Sequence, residues 1–207
     1  MTRYILFPVL LCNLLTSLNL YAEVGDVTLV EKLKKGGYVI LVRHAIASNS
    51  QQDTDFKNLT YCKTQRNLTE AGRKQAAAIG KAYRALELPT GTIYSSFFCR
   101  CVDTANLAFG KPETLLELSS FMRETDEEQK RRVKEMNRLL KTPPAPNTNN
   151  ILVAHSIMSF RASSTQLYQG QAAVFLPLPD GRFQFVDFIA PKRWQRMLDA
   201  VMEEEDL

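Results

Sequence analysis

The chain has only two histidines, and each one ends an apolar run. "YVILVRHA" over residues 38–45 carries His44, and "NILVAHS" over residues 150–156 carries His155. A continuous stretch of Val, Ile and Leu is the pattern of a strand buried on both faces. In an open α/β sheet, ligands bind in the crevice beyond the carboxyl ends of the strands. Two strands that each finish on an imidazole therefore aim both rings at one crevice. A single histidine would be read most simply as a satisfied, half-buried structural residue. That both share this placement favours chemistry.

Arg43 precedes His44, and Arg100 follows the run "TIYSS" where a helix is predicted to open. Either arginine alone would be read as half of a surface ion pair. Two guanidinium forks and a helix N-terminus at one sheet edge instead make a receptor for a tetrahedral dianion, because the forks match phosphate oxygens and the helix-end N–H groups add positive charge. An imidazole whose tautomer is fixed is a competent nucleophile toward phosphorus.

The elements that must position these groups follow from periodicity. "VTLVEKLKKGG" reads as a short amphipathic helix closed by Gly36–Gly37, and "YVILVR" as the first strand. Residues 46–68 are polar and aperiodic, a long loop. Thr69 is placed to cap a helix in "LTEAGRKQAAAIGKAYRAL", whose apolar positions are Ala76, Ile79, Tyr83 and Leu86. "TIYSS" is a strand, "CRCVDTANLAFG" a helix, "ETLLEL" a strand and residues 125–140 a charged helix. "KTPPAPNTNN" is a Pro/Asn connection, "ILVA" a strand and "IMSFRASSTQLYQ" a helix. A hairpin follows around Pro179–Asp180–Gly181, and Pro191 opens a last helix. Strands alternating with helices predict an α/β fold: one three-layer domain with a mostly parallel central sheet, helices on both faces and an antiparallel C-terminal hairpin.

Composition bounds the rest. With 207 residues, 45% hydrophobic and 23% charged, the chain can bury one sizeable core. The opening "MTRYILFPVLLCNLLTSLNLYA" has the layout of a secretory signal peptide with cleavage after Ala22, which leaves residues 23–207 as the catalytic domain and predicts a periplasmic or secreted protein. The alternative is an uncleaved anchor, weakened by Asn13, Thr16, Ser17 and Asn19; after cleavage no stable membrane insertion is expected. Arg3 is the only charged residue removed, so the formal charge falls from +4 to +3. That mild excess does not imply nucleic acid. The basic run "KRRVK" follows "ETDEE", and the pairs Glu127/Arg131 and Glu128/Arg132 read as a solvated helix face. Three cysteines remain, Cys62, Cys99 and Cys101, enough for one bridge and one thiol. "CRC" is too sparse for zinc, and no metal or cofactor is expected. Gly-x-x-x-x-Gly-Lys, Gly-x-Gly-x-x-Gly and His-Glu-x-x-His are all missing from the sequence.

Together, "LVRHA", "LTEAGRKQAAAIG", "SSFFCRCVDTA" and "ILVAHS" resemble the histidine phosphatase superfamily, the Arg-His-Gly group that includes phosphoglycerate mutases. Ala45 stands where the signature has Gly. The resemblance implies a histidine acid-type phosphatase, a metal-independent phosphomonoesterase in which His44 becomes phosphohistidine. Arg43, Arg100 and His155 would form the phosphate pocket and stabilise transition-state charge. The family's proton-donating Glu maps best onto Glu124 in "FMRET", with Glu117 in "LLELS" as the rival. Arg66, just before the first family helix, could reach the substrate. Cys62 and Cys99 both flank the implied pocket and are the first choice for a disulfide, with Cys101 as the rival partner. The substrate is left open among phosphorylated small molecules, sugar phosphates and phosphoproteins, and the context resembles envelope phosphatases that act on lipopolysaccharide-core sugar phosphates. A non-catalytic phosphate-binding module and a mutase are the competing readings.

Overall fold

The computed structural model describes residues 25–205. The predicted signal sequence, and with it the choice between cleaved leader and anchor, lies outside the described residues. A helix over residues 25–35 (α1) leads into β1 (Val39–Arg43), α2 (Glu70–Ala85), β2 (Thr90–Ser95) and α3 (Cys99–Ala108). After a two-residue β3 (Glu113–Thr114) come α4 (Asp126–Lys141), β4 (Asn149–Ala154) and α5 (Ser156–Ser163). The chain then forms β5 (Ala172–Pro177), β6 (Phe183–Ile189) and α6 (Arg193–Glu205). No helix among the described residues is long and apolar enough to cross a membrane.

The six strands form one sheet in the order β3-β2-β4-β1-β5-β6, parallel from β3 to β1 and antiparallel through β5 and β6. The alternation of a strand's side chains divides the core into two layers. Ile40 and Val42 of β1 face Leu33, Ile79, Ala105, Trp194 and Met197, from α1, α2, α3 and α6. Val39 and Leu41 face Leu118, Phe121, Met136, Leu140 and Met158, on the α4 and α5 side. Both faces of β1 and β4 are therefore buried, which is why their sequences read as unbroken apolar runs.

Helix α2 starts as its sequence predicts: the Thr69 side chain accepts from the Gly72 N–H. Gly72 is there for space, since a Cβ would stand 2.0 Å from the Ile46 carbonyl oxygen. Two expectations are corrected. "ETLLEL" is a strand only at Glu113–Thr114, after which Leu116–Leu118 turn as a single 3-10 helix, so Glu117 is not in a strand. The helix predicted to run to Gln169 stops at Ser163, because Ser164 takes a left-handed conformation (φ 58°) and ends the ladder.

Candidate active site

Register brings the two histidines together. Strands β1 and β4 are parallel neighbours with Arg43 opposite Ala154, so His44 and His155 each lie one residue past the paired ends. The His44 N–H donates to the Ala154 carbonyl (3.1 Å), and the two ring centroids are 5.4 Å apart. Both residues are buried.

His44 Nδ1 lies 2.8 Å from the carbonyl oxygen of Ala45. A carbonyl can only accept, so Nδ1 carries the proton and the Nε2 lone pair is free. The Ala45 backbone is fixed in turn. Its N–H donates to Thr104 Oγ1 (3.0 Å), whose hydroxyl donates to the Arg100 carbonyl in the first turn of α3 (2.6 Å). Burial, then the positive charge of Arg100, Arg43 and Arg66, pushes the His44 pKa down to about 3; the Ala45 bond opposes this without reversing it. The ring is therefore neutral at any ordinary pH. His155 is likewise held well below its usual value, first by burial and then by Arg100. Its Nε2 is 2.9 Å from Ser96 Oγ, and the Phe98 ring meets it edge-on.

Three arginines surround the rings. Arg43 Nη1 donates to the Leu167 carbonyl (3.0 Å). Arg100 stacks on Phe98 (4.4 Å) and donates through Nη1 to Asp53 (2.9 Å) and to the Arg66 carbonyl (3.3 Å). Arg66 is anchored through Nε on the Ser48 carbonyl (2.9 Å), and its charge depresses both His44 and Arg43. The Nε atoms of Arg43 and Arg100 are buried with no partner among the described residues. Buried donors are almost always satisfied, so two orphaned guanidinium donors beside a neutral imidazole mark an anion site. Among the described residues no group of three or more His, Cys, Asp or Glu side chains is placed to hold a metal ion.

The loop over residues 46–68 is strapped to this edge. Cys62 and Cys99 are disulfide-bonded, in the pairing expected from the resemblance, and Cys101 is the buried free thiol. Buried Gln65 accepts from the Cys99 N–H at the start of α3 (2.9 Å) and donates to the Leu59 carbonyl (2.7 Å). The structure brings together His44, Arg43, Arg100 and His155, the four residues implied for the phosphate pocket, and adds Arg66, which the sequence offered only as a group that could reach the substrate.

The glutamates are placed differently. Glu124 Oε1 accepts from Arg132 (2.9 Å) and Glu117 Oε1 from Arg131 (2.8 Å), two residues of α4 that also pair with Glu128. Neither glutamate pairs with a pocket arginine. Asp53 does, and nothing in "QQDTDF" distinguished it from Asp55, which merely caps the turn at Lys57 and Asn58. Gln65, Ser96 and Thr104 also escaped the sequence reading, since each acts through nonlocal polar contacts.

Residues 39–156 match the sequence pattern of the histidine phosphatase superfamily (branch 1). No curated protein sequence matches the chain. Among solved structures, the protein histidine phosphatase SixA complexed with tungstate superposes with a TM-score of 0.50 at 13% identity, covering 75% of this chain and 97% of that one. A phosphoserine phosphatase mutant from Entamoeba histolytica, in complex with phosphoserine, superposes at 0.51 and 15% identity over 75% and 98% of the two chains. The product of open reading frame Rv3214 from Mycobacterium tuberculosis gives 0.50 at 16% identity over 73% and 96%. These likenesses are of fold.

Proposed function

From the premise that the chain belongs to the histidine phosphatase superfamily, branch 1, we propose that it is a metal-independent phosphomonoesterase working through a phosphohistidine on Nε2 of His44. One observation carries the reading: His44 is locked by the Ala45 carbonyl into the tautomer with a free Nε2, beside two arginines whose buried Nε–H groups lack partners. The phosphoryl group of the substrate would take those donors. Nε2 attacks phosphorus as the ester oxygen leaves; water then attacks the phosphohistidine and releases inorganic phosphate. Arg43, Arg66 and Arg100 hold the equatorial oxygens, and His155, fixed by Ser96, lies across the pocket from His44.

Neutrality of His44 down to about pH 3 leaves the nucleophile ready in acid, which supports an acid-type phosphatase. Export is part of the proposal, supported by the leader-like residues 1–22 and by a disulfide, a bond that persists in oxidising compartments. Substrate candidates are phosphorylated small molecules, sugar phosphates and phosphoproteins. The phosphoserine bound to one structural neighbour illustrates the class.

The test is hydrolysis of p-nitrophenyl phosphate by residues 23–207, with and without chelator, beside His44→Ala. Chelator-resistant turnover that His44→Ala abolishes is the expected result. Phosphate binding without turnover of any phosphomonoester would transfer the proposal to a non-catalytic binding module.

A further inference from the structure

We propose that Asp53 is the proton donor to the leaving oxygen and then the base that activates water, an inference that rests on the phosphomonoesterase reading. Among the described residues it is the only carboxylate paired with any of the three pocket arginines. Its Oδ1 accepts from Arg100 Nη1 (2.9 Å) and from the Arg66 N–H (2.9 Å), so it sits between two groups assigned to the phosphate. Buried Cys101, whose thiol contacts His155 (3.6 Å), has its pKa pushed up chiefly by its burial and in smaller part by the Asp53 charge. The side chain is mostly buried, and the disulfide and Gln65 hold its loop against α3.

In the free protein Asp53 is paired with Arg100, and a proton must reach it before it can act as an acid. Substrate supplies the means. A phosphate oxygen that takes over Arg100 removes the carboxylate's cationic partner and sets a like charge beside it, and both changes favour the protonated carboxyl. The proton comes from the substrate monoanion or from solvent. As the Nε2–P bond forms and the P–O bond to the leaving group breaks, that proton passes to the departing oxygen, giving a neutral alcohol and an Asp53 carboxylate. In the second half the carboxylate takes a proton from water while the water oxygen attacks phosphorus and the N–P electron pair returns to His44. Asp53 ends protonated, His44 ends free, and the phosphate leaves.

The test compares wild type, Asp53→Asn, Asp53→Glu and Glu124→Gln on two substrates. One is 2,4-dinitrophenyl phosphate, whose leaving group needs no proton, and the other is glycerol 2-phosphate, whose alkoxide does. Asp53→Asn is expected to lose about 10²–10⁴-fold in kcat/KM on the alkyl ester and far less on the dinitrophenyl ester. It should also give a burst of one dinitrophenolate per protein, because breakdown of the phosphohistidine has lost its base. Asp53→Glu should restore part of the alkyl activity, and Glu124→Gln should leave the ratio between the substrates unchanged. Equal losses on both esters in Asp53→Asn would reduce Asp53 to a positioning residue for Arg100. A substrate-dependent loss in Glu124→Gln would move the role to that residue. A misfolded Asp53→Asn would show as lost inhibition by inorganic phosphate, and the Glu variant then decides: no preferential retention of alkyl activity overturns the proposal. If wild type hydrolyses neither ester, it is the parent reading that has failed.

Discussion

The depressed His44 pKa makes folding stability depend on pH in a way that one substitution isolates. In the unfolded chain His44 takes up a proton near its ordinary value of 6.5, whereas in the folded protein it resists protonation until about pH 3. Below 6.5 the unfolded state therefore binds more protons than the native state, so stability is lost as pH falls and the loss is complete only near pH 3. At pH 4 the unfolded histidine is almost fully charged and the folded one almost fully neutral. The interval from 6.5 to 4, at 1.36 kcal/mol per pH unit, corresponds to about 3 kcal/mol. His155 shifts the same way and adds to the loss.

His44→Asn keeps a polar group beside the Ala45 carbonyl and removes the titration. Its own cost cancels when each protein is compared with itself at two pH values. Equilibrium urea unfolding at pH 7 and pH 4 should show the wild type losing about 3 kcal/mol more than the variant between the two conditions. The paired carboxylates Glu128 and Glu135, whose pKa values are lowered by their arginines, contribute equally to both proteins and drop out. Equal losses in wild type and His44→Asn would mean that His44 is not held neutral, and the argument for a free Nε2 in acid would go with it.

Two more consequences concern the strap and the tight approach beneath it. Replacing Cys62 with Ser removes a bridge spanning 37 residues, a loss of about 3–4 kcal/mol by chain-entropy reasoning. It should also lower kcat/KM by loosening the loop that carries Asp53 and Arg66; an unchanged urea midpoint would show that the bridge does not constrain the chain as argued. Gly72→Ala would gain about 1 kcal/mol in an unobstructed helix, but here its Cβ meets the Ile46 carbonyl oxygen at 2.0 Å, two residues from His44. A net destabilisation of about 1–3 kcal/mol is expected, and a melting temperature at or above wild type would refute the contact.

What could be read in the sequence was whatever repeats. Buried strands and amphipathic helices impose periods of two and 3.6, so β1, β4 and α2 announced themselves, and the histidines inherited their location from the strands they terminate. Where an element depended on a single backbone event the reading overran. Ser164 carries no marker of its left-handed turn, and "ETLLEL" continues as apolar as a strand while its backbone turns after Thr114.

The carboxylate is the instructive case. The resemblance points to Glu124 through its place along the chain, whereas the role proposed for Asp53 rests on its pairing with a pocket arginine. Arg132 is buried on α4 and has both Glu124 and Glu128 as partners, so the helix claims Glu124 for its own neutrality. Arg100, equally buried, has no partner of that kind on its helix and draws one from the loop, 47 residues back. A buried guanidinium must be matched locally or by a ligand. In the free protein Asp53 meets part of that demand, and the orphaned Nε atoms of Arg43 and Arg100 show how much is left. Three arginines and one aspartate leave two positive charges uncompensated around neutral imidazoles, the charge of a phosphomonoester dianion with its sign reversed. The aperiodic loop that no sequence pattern describes is therefore the segment whose residues set that balance.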